Sequence, residues 1–67
     1  MRISDMSDRR LFDMADNCTD LSGRDLIDLY LELDHRFLKM DLLDDRFDIF
    51  IAKLGQIDNE LLGRLER

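Results

Sequence analysis

Apolar residues recur along this chain with the period of a helix. Leu26, Leu33, Met40, Phe47, Leu54 and Leu61 stand seven residues apart, and no proline interrupts them. Tyr30, Phe37, Ile51 and Leu65 fill most of the second position of each heptad. Such a seam predicts a long amphipathic helix that packs against another helix. Helix boundaries follow from local signals. Ser7 is the N-cap of a short helix over about 7–16, with Asp8 in its first turn and Met6 and Leu11 as a hydrophobic staple. Asn17 is a left-handed stop.

The strongest start signal is Leu21-Ser22-Gly23-Arg24-Asp25-Leu26. Ser22 is the N-cap, Asp25 plays the part of a capping-box acid, and Leu21 and Leu26 form the staple. From Arg24 to Leu54 there is no Gly, Pro or Asn. The expectation is therefore one long helix over about 23–54, about 45 Å in length if straight. A break or bend is expected at Gly55, with a short last helix over 58–66. A rival path turns back near Met40 to Asp45. It would explain Leu31, Leu38, Leu42 and Ile49, which are apolar but off the main seam.

A chain of 67 residues folds alone with difficulty and usually needs a disulfide, a metal or a partner. Cys18 is the only cysteine and His35 the only histidine, which excludes a disulfide and leaves no ordinary zinc set. Association is the remaining remedy. The expected fold class is all-α, a helical bundle completed by homodimerisation in the manner of a coiled coil. Leu26, Tyr30, Leu33, Phe37, Met40, Phe47, Ile51 and Leu54 form the expected oligomer interface. A reduced cysteine, no signal segment and no membrane-spanning run predict a cytoplasmic protein.

The net charge of −6 argues against direct contact with nucleic acid. Thirteen of the sixteen acids are Asp, a poorer helix former than Glu. Asp41, Asp44, Asp45 and Asp48 are spaced to crowd one side of a helix. Three readings stay open: a solvated face, a docking patch for a basic protein surface, and a hard-metal site. No cofactor and no catalytic residue is expected, because no base–nucleophile pair or phosphate loop is present. His35 reads as a partly exposed helix residue, Cys18 as a small buried one, and Glu32–Arg36 and Glu60–Arg64 as surface ion pairs.

Leu21-Ser22, Asp25-Leu26, Tyr30, Asp34-His35-Arg36 and Met40 resemble the pattern of the Hha/YmoA family, small helical modulators of the nucleoid protein H-NS. The likeness spans residues 21–40. It implies that Asp34, in the D-H-R triplet, contacts a partner. The function expected is that of a non-enzymatic acidic interaction module, an adaptor or phage-type inhibitor of a nucleic-acid-binding machine. The alternative is a structural homo-oligomerisation module.

Overall fold

The computed structural model describes residues 3–66. They form an all-helical fold of three α-helices, with no strand among them: α1 (Asp8–Asp16), α2 (Gly23–Leu38) and α3 (Phe47–Leu65). Single 3₁₀ turns, Ile3–Asp5 and Cys18–Asp20, precede α1 and α2.

The two N-caps lie where the serines place them. The Ser7 hydroxyl accepts from the Arg10 amide and the Ser22 hydroxyl from the Asp25 amide, at 3.3 and 3.2 Å. Each satisfies one amide that a helix start leaves unpaired. Asn17 ends α1 differently from expectation. Its φ is −109°, not left-handed, and its side-chain amide donates to the Asp13 carbonyl at 2.9 Å.

The helix expected over 23–54 is two helices. α2 stops at Leu38, and residues 39–46 turn the chain back before α3 begins. Aspartates make this turn. Asp41 Oδ1 accepts from the Leu43 amide at 3.2 Å, and Asp44 Oδ1 from the Arg46 amide at 2.9 Å. Short acidic side chains thus take amides that a helix would otherwise use. The break expected at Gly55 is absent, and α3 runs through both Gly55 and Gly63.

α2 and α3 lie antiparallel. Phe37 and Phe47 stack at the bend with ring centroids 4.8 Å apart. At the far end Arg64 donates to the Leu21 carbonyl at 2.6 Å. α1 crosses one face of this hairpin. Its Phe12 ring meets Phe50 edge to face at 5.1 Å, and Leu11 and Ala15 are buried with Leu26, Leu29, Leu33, Phe50 and Ile57. Burying one such side chain is worth about 1.5–3 kcal/mol. The heptad seam is therefore consumed largely within one chain: Leu26 and Leu33 are fully buried, Tyr30, Phe37, Met40 and Leu54 pack partly buried on the same core, and half-buried Phe47 meets Phe37. The seam itself no longer demands a second copy.

Candidate protein-interaction surface

The four aspartates expected on one helix face are not on one helix. Asp41, Asp44 and Asp45 belong to the bend, and only Asp48 is helical, in the first turn of α3. Asp41 and Asp44 are committed to the turn by their own backbone bonds. Among the described residues no group of three or more Asp, Glu, His or Cys side chains is gathered for a metal. In this acidic bend Asp41 and Asp44 shape the chain, while Asp45 is exposed.

Cations concentrate on the face that α1 covers. Arg36 donates to Asp8 at 2.7 Å, to Glu32 at 2.8 Å and to the carbonyls of Met6 and Ser4. Arg46 pairs with both Asp8 and Asp44, and Lys53 pairs with Asp16. Arg64 bridges Glu60 and the carbonyls of Cys18, Thr19 and Leu21. Glu32–Arg36 and Glu60–Arg64, expected as surface decoration, instead clamp the two 3₁₀ segments to the hairpin. Spacing of i,i+4 gave no sign of those long-range carbonyls. Burial alone would lower the Arg36 pKa, but its bonds to Glu32 and Asp8 outweigh that and raise it. The Arg46 guanidinium and amide hold the Asp44 carboxyl below the ordinary carboxylate range.

A cleft lined by Asp8, Arg36, Lys39, Asp41, Asp44 and Arg46 lies beside the bend. Its guanidiniums are already matched by carboxylates. They are poorly placed to hold an added anion.

The opposite face of the hairpin is open. Helical periodicity places Ile27, Leu31 and Leu38 on the outer side of α2, and Ile51, Leu62 and Leu65 on the outer side of α3. Their exposures run from 48 to 82%. Half-buried Tyr30, Phe37, Phe47, Leu54 and Leu61 form the floor between them. The six outer residues expose on the order of 700 Å², close to the ~800 Å² that each partner gives to a standard interface. Apolar surface of this extent makes the face a candidate interaction site. Ile51 is the expected interface residue that lies most openly on it.

Two carboxylates interrupt this apolar field. Asp34, half-buried, has Tyr30, Leu31, Phe37 and Leu38 three or four residues away on α2. Asp58, exposed, has Leu54, Leu61 and Leu62 in the same relation on α3. Neither side chain has a hydrogen-bond or ion-pair partner among the described residues. His35 is exposed at the edge of the stripe. No helix of the described residues is long and apolar enough to cross a membrane. The chain matches no family model, no curated protein and no solved structure.

Proposed function

We propose that this chain is a non-enzymatic interaction module that works by occupying a surface of another protein. One observation carries the reading: α1 covers one face of the hairpin, while an apolar field of comparable make-up on the other face stays open. An acidic module of this kind suits the modulation or inhibition of a nucleic-acid-binding machine, in keeping with the resemblance over residues 21–40. The chain would act by blocking or reshaping a protein surface, not by touching nucleic acid itself.

Self-association through the same face is the second reading, favoured by the size of the exposed apolar area. It would join two hairpins into a four-helix bundle. Sedimentation at micromolar concentration separates the two. A dimer that Leu31→Lys with Leu62→Lys converts to a folded monomer supports self-association. A wild-type monomer that retains a protein from the source cell's lysate, lost in that double variant and kept in Leu42→Lys, supports the module. A monomer that retains nothing above background overturns both.

A further inference from the structure

We infer that the occupant of the open face is an amphipathic helix of another protein carrying basic residues about two turns apart. This rests on the interaction-surface reading above and names its partner by chemistry. The chain supplies its own template for such a contact. On the covered face, α1 lays Leu11, Phe12 and Ala15 onto the hairpin. Its carboxylates Asp8 and Asp16 meet the cations Arg36, Arg46 and Lys53. Carboxylates on α1 are thus matched to cations on the hairpin face it covers.

The open face has the reverse charge. Asp34 and Asp58 stand within its apolar field, and the hairpin's cations Arg36, Arg46, Lys53 and Arg64 are engaged elsewhere. Lys39 lines the cleft with Asp8 and Arg36 on the covered side, and the Lys or Arg bordering the stripe among the described residues is Arg24, at its N-terminal end, three residues before Ile27. A helix seated here brings apolar side chains to the floor and covers both carboxylates. Covering them without partners is costly, and a Lys or Arg on the incoming helix removes that cost. A second copy of the hairpin supplies the wrong charge, since a two-fold axis repeats both aspartates in one seam. An α1 exchanged from a second copy does not match either: its cations, Arg9 and Arg10, are adjacent and not two turns apart, and Asp8, Asp13 and Asp16 come with them.

The register fixes the spacing. The Phe37–Phe47 stack and the Arg64–Leu21 bond set the antiparallel alignment. Asp34 then lies level with Phe50, and Asp58 level with Leu26. Eight residues of helix separate those levels, about 12 Å along the axis. Cations seven or eight residues apart on the docked helix reach both.

The test uses the full chain and two synthetic helical peptides with the same Leu/Ala face. One carries two Arg seven residues apart, and the other carries Glu at those positions. Fluorescence anisotropy should show the Arg peptide binding at least about tenfold more tightly, with affinity falling as salt rises. Asp34→Asn with Asp58→Asn should weaken the Arg peptide about tenfold and flatten its salt dependence. Circular dichroism establishes that the variant keeps its helices. Equal binding of both peptides, or no change in the double variant, overturns the charge assignment and leaves the interaction surface standing. Binding of neither peptide to a monomeric wild type overturns the surface itself. A wild-type dimer whose face is already occupied overturns the inference in favour of a second copy.

Discussion

The two faces of the α2–α3 hairpin draw on the same kinds of side chain yet meet different fates. The covered face holds Leu29, Leu33, Phe50 and Ile57, all shielded from water, and rings them with cations that α1 answers with Asp8 and Asp16. The open face holds Ile27, Leu31, Ile51 and Leu62, about half exposed, and two carboxylates without partners among the described residues. Apolar content does not separate the faces. Cover and charge do. The covered face stabilises the fold, and the open one stays exposed to solvent.

The sharpest way to break this comparison is to put the same charge on each face. Leu33→Asp places a carboxylate in a dry core beside Leu26 and Leu29 and should abolish cooperative folding. Leu31→Asp, two residues away on the outer side of α2, should cost less than about 1 kcal/mol. Thermal melts followed by far-UV circular dichroism compare them directly. Similar losses in both would mean that the open face is part of the core.

The next largest effect belongs to Arg36, which joins α2 to the segment before α1. Arg36→Ala removes bonds to Asp8, Glu32 and two carbonyls at once. Charged hydrogen bonds of this partly buried kind suggest a loss of about 2 kcal/mol. Urea titration measures it. A loss no greater than that of Arg9→Ala, at an exposed position on α1, would show that the clamp does not hold the covered face together.

Much of this architecture could be read from the residues. Ser7 and Ser22 announce their helices through local chemistry that needs no tertiary context. The seam correctly picks out Leu26 and Leu33 as buried. Its partner was the harder question. A seven-residue repeat across Leu33, Met40, Phe47 and Leu54 looks the same whether a helix continues toward another chain or folds back on itself. The off-seam apolar residues point to a turn near Met40 to Asp45, where the chain does fold back, but no Gly, Pro or Asn marks it, and Asp41 and Asp44 make it. Those same aspartates share one side only if a continuous helix runs beneath them. The resemblance singles out Asp34, but its setting among outward apolar residues becomes visible only once α2 has a buried side. Asp58 reads from the sequence as the start of a last short helix over 58–66, whereas it lies in the interior of α3.

Capping offers a smaller test of the covered face, because Leu26 and Leu29 enter the core from the first turns of α2. Ser22→Ala leaves the Asp25 amide without its acceptor and should cost about 1 kcal/mol. Coincident denaturant melts would place the start of the helix elsewhere. At Gly55 the expected sign reverses. Nothing lies within 4 Å of where a methyl group would stand, and the position is an exposed helix interior. Gly55→Ala should gain about 0.5–1 kcal/mol, and a loss would mean that α3 bends there after all.

The smallest effect is read on the acid side. Arg46 donates to Asp44 through its side chain and its amide, and these bonds hold the Asp44 pKa below its ordinary value. A carboxyl so depressed contributes stability that is present above the unfolded range, near pH 4. That stability fades as the pH falls through the folded value, because the protonated form loses its pairing. Asp44→Asn should therefore destabilise the protein at neutral pH and have little further effect well below the carboxylate range. The difference between wild-type and variant stability should shrink steadily on acidification. Arg46 also reaches Asp8 on α1, so the bend and the covered face share this linkage. A difference that stays constant from neutral to strongly acid pH would show that the Asp44 carboxylate shapes the turn only as a neutral acceptor, and that its charge plays no part in joining the bend to α1.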